Sequence, residues 1–296
     1  MNIIGIINVY KEKGFTSHDV VAILRKVTGM KAGHTGTLDP NAQGVLPICL
    51  GRATKLTDFI VAQDKTYIAE VVLGVETDTA DMTGTVLRSA ENVKIYLNDF
   101  SRVAESFIGE IEQVPPMYSA IKIGGKKLYE LARAGQTVER KPRKVRIDKI
   151  KILSHEANRF VIETACSKGT YIRSLCADIG TALGCGATMG ELTRTQTGNF
   201  FLENAVKIDE LKKAAQENRL AEYILPVDRV LPYPRVMVRA AGLQMAKNGN
   251  TLPLSMAEAP FAASEERCWL CAPTGELIGL FSRTEDGGRL RAEVML

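Results

Sequence analysis

Residues 33–47 read GHTGTLDPNAQGVLP, and this segment constrains the chain more than any other. It places a single carboxylate, that of Asp39, between Gly36 and Gly44 and directly before Pro40. A residue before proline is driven towards extended backbone, whereas glycine tolerates positive φ and lets another molecule approach the main chain. The pattern therefore predicts a loop that presents one acid at a cleft. An Asp-Pro turn, whose side chain only hydrogen-bonds nearby backbone, has the same local signature.

Four further segments follow this loop in a fixed order. They are YIAEVVLGVETDTAD (67–81), VPPMYSAIKIGGKKLYELAR (114–133), CSKGTYIRSLCADIG (166–180) and ELTRTQTG (191–198). In order and spacing, the loop and these segments resemble the TruB-type bacterial tRNA pseudouridine synthases, in which the aspartate of GHTG-x-LDP is catalytic. The resemblance covers most of residues 1–230. The tail beyond about residue 232 resembles the small RNA-binding PUA-like domain that ends these enzymes.

The chain is long and apolar enough to bury a full core. Its 296 residues, 45% hydrophobic and 24% charged, predict one large domain or two unequal ones. The patterns predict a helix that starts at Thr16 or Ser17 and ends at Gly29, a strand of alternating apolar residues at 66–74, and a helix from about residue 91 to 108. Strand-like and helix-like segments mix without strict alternation, which favours an α+β fold with a mixed or antiparallel sheet. The resemblance implies a mixed central sheet with flanking helices and a small C-terminal β-barrel. A proline-rich stretch at residues 225–235 marks the expected boundary, with a catalytic domain at 1–230 and a PUA-like domain at 232–296.

Membrane and secretory classes are not indicated. No apolar run approaches the roughly 20 residues of a membrane span, and the N-terminus lacks the pattern of a secretory signal, so we expect a cytoplasmic protein. The six cysteines follow no disulfide framework. Cys268 and Cys271 form a C-x-x-C, but a structural zinc site needs four ligands. We therefore predict two buried strand cysteines and no metal.

Basic residues concentrate in one segment. Nine lysines and arginines against two glutamates leave residues 122–146 at about +7, although the whole chain carries only +4. Such a segment is typical of a surface that follows phosphates, and a solvated loop and helix face would give the same pattern. The resemblance makes residues 114–146 an RNA-gripping insertion, with Lys126 and Lys127 contacting the RNA backbone. It gives Lys11 a similar contact, although Glu12 stands where the family has proline.

The reaction implied by the resemblance defines what the site must contain. Converting uridine to pseudouridine breaks the N1–C1′ bond, turns the base and rejoins C1′ to C5. This isomerisation needs no metal, redox carrier or ATP, so we expect no cofactor. It does need an ionised carboxylate, and Asp is charged at neutral pH. Asp39 fits as nucleophile at C1′ or as base at C2′, and the sequence leaves both open. Arg173 matches the arginine that pairs with this aspartate in the family.

Four residues match positions that hold the flipped base. The resemblance makes Tyr67 the tyrosine that stacks on the base and that can act as a base at C5. It makes Tyr171 a second tyrosine of the pocket, Leu192 an apolar residue packed on the base, and His34 an RNA contact beside the displaced base. Periodicity alone equally predicts that Tyr67 and Leu192 are core residues.

The resulting prediction is an enzyme that isomerises one uridine in the T-loop of tRNA, position 55 in the usual tRNA count. It would extrude the base from its stack, bind the T-arm stem-loop and act as a monomer. The alternative is a non-catalytic RNA-binding or tRNA-folding protein on the same scaffold, which would be marked by loss of Asp39 or Arg173. A nucleotide-dependent enzyme is not favoured, because GCGATMG (184–190) has one glycine gap too long for a dinucleotide fingerprint.

Overall fold

The computed structural model describes residues 4–258 and 264–296. Its strands are β1 (Gly5–Lys11), β2 (Ala32–His34), β3 (Gln43–Leu50), β4 (Lys65–Leu73), β5 (Val75–Thr77), β6 (Val86–Ser89), β7 (Gly109–Gln113), β8 (Lys122–Ile123), β9 (Lys126–Lys127), β10 (Arg143–Glu156), β11 (Arg159–Cys166), β12 (Ala187–Thr197), β13 (Phe200–Phe201), β14 (Val206–Lys207), β15 (Arg235–Met237), β16 (Leu252–Pro253), β17 (Arg267–Cys271), β18 (Leu277–Arg283) and β19 (Arg289–Met295). Its α-helices are α1 (Ser17–Thr28), α2 (Thr57–Val61), α3 (Leu97–Glu105), α4 (Leu128–Arg133), α5 (Ile172–Ala182), α6 (Ile208–Gln216), α7 (Val227–Val230) and α8 (Leu243–Lys247).

A mixed sheet forms the centre of the molecule. Its strand order is β14-β1-β3-β12-β4-β11-β10-β7, with β2 added beside β3 and β13 beside β12. The β1–β14 and β3–β12 pairs are parallel and the others are antiparallel. This arrangement confirms the predicted α+β class. It also brings β3 and β12, which are distant in sequence, next to each other directly below the Asp39 loop.

The first helix shows how the sequence sets the entry to this loop. The Thr16 side chain accepts a hydrogen bond from the Asp19 backbone N–H, and the Asp19 carboxylate accepts from the Thr16 N–H, which is a capping box. Gly29, at φ 66°, ends the helix in the left-handed conformation. Val20 and Leu24 bury the apolar side of α1 against the sheet, as their spacing predicts.

A second, smaller sheet follows at the C-terminal end. Its order is β15-β17-β18-β19-β16. An antiparallel bridge between Val238 and Ala257 joins its two edges, so the sheet curls into the predicted barrel. One face packs on the central sheet, where Trp269 lies fully buried in the same apolar cluster as Ile6 and Val45. The division at residues 230 and 232 stays a prediction, and residues 1–3 and 259–263 lie outside the described residues.

Two elements differ from the predictions. A helix is expected from about residue 91 to 108, but α3 covers only Leu97–Glu105, and Asn92 has a positive φ of 55°. The long central strand β12 is not predicted at all. Its register shifts twice, between Met189 and Leu192 and between Arg194 and Gln196, so its side chains do not alternate regularly. Periodicity therefore fails to show it.

The two C-terminal cysteines lie where a strand would place them. Cys268 and Cys271 are buried in β17, which confirms the prediction of buried strand cysteines. Across residues 4–258 and 264–296 no group of three or more His, Cys, Asp or Glu side chains is arranged to hold a metal ion. None of the helices in these residues is both long and apolar enough to cross a membrane.

Candidate active site

The loop that carries Asp39 is anchored on both sides. Thr35 donates from its backbone N–H and its hydroxyl to the carbonyl of Pro47, both at 3.1 Å. Ser17, at the start of α1, accepts from the Leu38 N–H at 2.9 Å through its hydroxyl. The Asp39 carbonyl closes a turn to the Ala42 N–H. The carboxylate itself is free of that turn, and its side chain is 39% exposed, so a substrate can reach it.

Arg173 pairs with this carboxylate. Its Nε lies 3.1 Å from Asp39 Oδ2, and its side chain is only 6% exposed. The other two guanidinium nitrogens donate to main-chain carbonyls, Nη1 to Thr79 at 3.1 Å and Nη2 to Tyr118 at 2.7 Å. A guanidinium held by three partners has little rotational freedom. The structure thus contains the expected ion pair, and its part in catalysis stays a prediction.

The first turn of α5 fixes the position of Arg173. The buried side-chain amide of Gln113 on β7 donates to the Tyr171 carbonyl at 3.0 Å and accepts from the Tyr171 N–H at 2.8 Å. Ser174 donates its hydroxyl to the Val114 carbonyl at 3.0 Å. These bonds join the first turn of α5, which carries Arg173, to the end of β7 and the residue after it. The predicted insertion at 114–146 is therefore hydrogen-bonded to the helix that supplies the ion pair.

Asp81 is a second carboxylate at the same guanidinium. Its Oδ2 lies 3.9 Å from Arg173 Nη1, and its side chain is 15% exposed. Its Oδ1 accepts hydrogen bonds from the Thr79 hydroxyl at 2.8 Å and from the Thr83 N–H at 3.0 Å. Arg173 therefore lies between two carboxylates, the mostly buried Asp81, which is held by its own loop, and the more exposed Asp39.

These charges act on Asp39 in opposite directions. Burial raises the pKa of the Asp39 carboxyl above its ordinary value, and the negative charge of Asp81 raises the pKa further. The cations of Arg173 and Lys11 lower the pKa again. Arg173 and Lys11 thus favour the ionised form of an acid whose ionisation burial and Asp81 oppose.

Lys11 corrects one of the predictions. The resemblance implies that Lys11 contacts the RNA backbone, but the side chain is fully buried. Its ammonium donates to the carbonyls of Glu12 at 3.2 Å, Phe15 at 2.7 Å and Pro40 at 3.1 Å. These bonds use all three ammonium donors. Lys11 thus holds the turn next to Asp39 from below and offers nothing to a phosphate outside. Burial lowers its pKa from 10.5 to about 8.

Tyr67 and Leu192 lie on neighbouring strands at the floor of the site. Tyr67 on β4 and Leu192 on β12 are both almost fully buried and belong to the main apolar core. Burial raises the pKa of the Tyr67 phenol, and the Asp39 charge contributes to the same shift. Asp39 also raises the pKa of Tyr171, whose shift comes mainly from burial. The structure therefore brings both tyrosines into the electrostatic surroundings of Asp39.

His34 ends β2, five residues before Asp39. Its Nδ1 accepts from the Gly36 N–H at 3.4 Å, and its ring contacts that of His18 edge to face, with centroids 5.2 Å apart. Burial lowers the pKa of His34 to about 4, with smaller contributions from His18 and Arg194. A neutral imidazole suits a hydrogen bond to a base better than a contact with a phosphate.

The basic segment begins with a short hairpin and a helix. Gly124 and Gly125, both at positive φ, turn β8 into β9. Lys126 is exposed, whereas the Lys127 ammonium lies 5.3 Å from the centre of the Tyr129 ring. The two lysines thus differ in their surroundings, and the Lys126 ammonium is the more accessible of the two to a phosphate.

Sequence reasoning missed two charged residues of this site. Asp81 and Arg194 both fall inside the segments that carry the resemblance, at 67–81 and 191–198, yet neither was singled out. Asp81 reaches Arg173 only because its segment bridges to Met189 on β12. Arg194 is a buried cation on a strand that periodicity does not show.

Solved structures of other proteins share this fold. The chain superposes with the solved Cbf5-Nop10-Gar1 complex at a TM-score of 0.76 and 27% identity, covering 99% of this chain and 84% of that chain. A solved H/ACA RNP bound to a substrate RNA containing 2′-deoxyuridine gives a TM-score of 0.74 and 25% identity, covering 98% of this chain and 84% of that chain.

The sequence comparisons are more specific. The model of the TruB family pseudouridylate synthase N-terminal domain matches residues 24–172, and that of the tRNA pseudouridylate synthase B C-terminal domain matches residues 173–232. Proteins named tRNA pseudouridine synthase B are 49% identical in Alkaliphilus oremlandii, over 84% of this chain and 82% of that protein, and 40% identical in Bacillus pumilus, over 94% and 93%. The fold and these sequence matches thus define a pseudouridine synthase. The chain belongs to the TruB family, and the predicted isomerase function is confirmed at that level.

Proposed function

We propose that this protein isomerises uridine 55 in the T-loop of tRNA to pseudouridine. The observation that carries the proposal is the exposed Asp39 carboxylate held 3.1 Å from the buried guanidinium of Arg173. The names of the curated relatives, tRNA pseudouridine synthase B, support tRNA as the substrate. The T-arm stem-loop is the proposed binding partner, because single-stranded loops expose bases that a protein can extrude.

The chemistry assigned to Asp39 begins once the uridine has left its stack. The ionised carboxylate either attacks C1′ or removes the proton at C2′, and in both cases the N1–C1′ bond breaks. Arg173 keeps the carboxylate ionised and aimed, because its two other nitrogens are fixed by the carbonyls of Thr79 and Tyr118. The detached base turns and C5 bonds to C1′, after which the C5 proton must leave.

The base itself is held by the floor of the site. Tyr67 presents an aromatic ring on which the uracil can stack, and Leu192 provides an apolar contact beside it. Tyr67, acting as the phenolate, is the proposed acceptor of the C5 proton, and the phenol so formed returns a proton to N1, so that the isomerisation involves no net gain or loss of protons. His34, neutral at physiological pH, and Tyr171 complete the proposed pocket.

The remaining surface would grip the RNA backbone. Lys126 and the neighbouring basic residues of the hairpin offer phosphate contacts, and Gln113 connects this insertion to Tyr171 beside Arg173. We include in the proposal that the enzyme is monomeric and works in the cytoplasm. Sedimentation of the purified protein with and without one equivalent of tRNA checks the monomer.

To test this proposal, the purified protein is incubated with an unmodified tRNA transcript. Pseudouridine is then mapped by chemical labelling and primer extension. We expect one new stop, at position 55, and none with a transcript carrying cytidine there. Asp39→Asn should abolish the product while tRNA binding stays close to normal, since the amide keeps the size of the side chain. Product formation by Asp39→Asn, or modification elsewhere in the tRNA, would contradict the proposal.

A further inference from the structure

Arg194 is a buried cation that has no role in the proposed reaction. It lies on β12, is 1% exposed, and is among the largest fully buried side chains of the described residues. Its Nε donates to the Val45 carbonyl at 2.7 Å and its Nη2 to the Gly36 carbonyl at 3.1 Å. Within residues 4–258 and 264–296, no carboxylate oxygen is found within 4.0 Å of it. A buried charge without a carboxylate partner is costly, which points to a function beyond packing.

Arg194 contacts both ends of the loop that presents Asp39. At the start of the loop, Gly36 has φ +131°, and a Cβ there would lie 3.6 Å from Arg194 Nη1. At its end, Gly44 has φ +108°, and a Cβ there would lie 2.2 Å from the Arg194 carbonyl oxygen. Positive φ favours glycine at both positions, and at Gly44 the backbone of residue 194 also leaves no room for a Cβ. The loop therefore closes against β12 at Arg194, whose guanidinium holds the carbonyls of Gly36 and Val45.

The same residue is the cross-strand neighbour of Tyr67. In the register between β12 and β4, Arg194 pairs directly with Tyr67, and residues paired in this way project from the same face of the sheet. The charge of Arg194, together with hydrogen bonding to the phenol, lowers the pKa of Tyr67 against the larger opposing effect of burial. Arg194 is thus linked to the phenol on one side and to the Asp39 loop on the other.

We propose that Arg194 is a positioning residue that ties the Asp39 loop to Tyr67 and so fixes the carboxylate and the phenol relative to each other around one base. This inference rests on the proposed function. The Asp39 carboxylate and the Tyr67 phenol lie on separate elements and must meet the same nucleotide. Because a misplacement of about 1 Å can slow a reaction about 100-fold, a buried guanidinium that holds both elements would increase the rate.

A double-mutant cycle tests the proposal. Single-turnover rate constants for pseudouridine formation, with enzyme in excess over tRNA transcript, are measured for wild type, Arg194→Met, Tyr67→Phe and the double variant. Tyr67→Phe keeps the ring for stacking, and incubations of up to a day capture its slower rate. We expect Arg194→Met to slow the wild type about 100-fold but the Tyr67→Phe variant less than about threefold, because interacting residues are non-additive. The Kd for tRNA should change less than about threefold in each variant.

Equal slowing by Arg194→Met in both backgrounds would overturn the proposal, since a general structural role does not depend on the Tyr67 hydroxyl. Arg159→Met is the matched control, because Arg159 lies on the same sheet but at the surface, paired with Glu70, and its rate should equal that of wild type. If Arg194→Met does not fold, the cycle is repeated with Arg194→Lys, which keeps the charge. If neither variant folds, Arg194 serves stability and the proposal is equally overturned. Absence of product with the wild type would instead contradict the proposed function.

Discussion

Arg173 and Asp39 form an asymmetric ion pair. The arginine side chain is 6% exposed and the carboxylate 39% exposed, at an Nε–Oδ2 distance of 3.1 Å. The cation is anchored in the protein by two carbonyls, whereas the anion faces the opening. An ion pair built in this way holds its carboxylate in one orientation and still leaves it accessible, which is the property that chemistry on a polymeric substrate requires.

Replacing Arg173 by lysine should therefore slow the chemical step rather than weaken binding. Lysine keeps the charge but loses the planar fork that satisfies Asp39, Thr79 and Tyr118 together. We expect the single-turnover rate constant to fall about 100-fold, with little change in the Kd for tRNA. Arg102→Lys, on the exposed face of α3, is the control. A pure loss of affinity with an unchanged rate would show that Arg173 binds RNA instead.

The rate should fall at low pH with a midpoint above the ordinary Asp pKa of 3.8, because burial raises the pKa of Asp39 and the ionised form acts. Asp81→Asn removes a negative charge that raises this pKa, so the midpoint should move to lower pH. The asparagine Oδ1 can still accept from Thr79 and Thr83. Rate constants from about pH 4, near the ordinary Asp pKa, to about pH 8 measure the shift. A midpoint that moves upward would contradict the assigned charges.

Lys11→Met tests the buried ammonium beneath the loop. Three carbonyls would lose their donor, so we expect a loss of about 1–3 kcal/mol in the free energy of unfolding and a slower reaction, because one of these carbonyls belongs to Pro40 beside Asp39. Urea denaturation and the single-turnover rate measure the two effects.

The same variant has a defined pH signature. Since burial lowers the pKa of Lys11 to about 8 from 10.5, the unfolded chain binds more protons than the folded one between these values. The wild type should therefore gain stability relative to Lys11→Met as pH rises through this range. A stability difference that shrinks with rising pH would show that the Lys11 pKa is not lowered.

Lys126→Ala should reduce the salt dependence of tRNA binding. Each lost phosphate contact lowers the slope of log K against log salt by about 0.7–0.9. Lys127→Ala should have a smaller effect, because that ammonium already contacts Tyr129. Lys212→Ala on α6, paired with Asp209, serves as the control. An unchanged slope for Lys126→Ala would exclude this lysine from the RNA interface.

Local patterns in the sequence predicted those parts of the molecule that depend on near neighbours. The Asp39 loop follows from its glycines and proline, α1 from the Thr16 cap and Gly29, and β4 from strict alternation. The basic charge of residues 122–146 likewise follows from composition, whereas the hairpin of β8 and β9 was not predicted. Together with the resemblance, these patterns were sufficient for the fold class and the family.

The tertiary structure decided which distant residues meet. Sheet order places β12 between β3 and β4, which buries Arg194 under the Asp39 loop and beside Tyr67, and a bridge to β12 brings Asp81 to Arg173. The same packing buries Lys11, although the resemblance implies that it contacts the RNA backbone. Periodicity and turn chemistry report only local geometry, whereas burial of a charge and its pKa depend on groups that the fold assembles from separate elements.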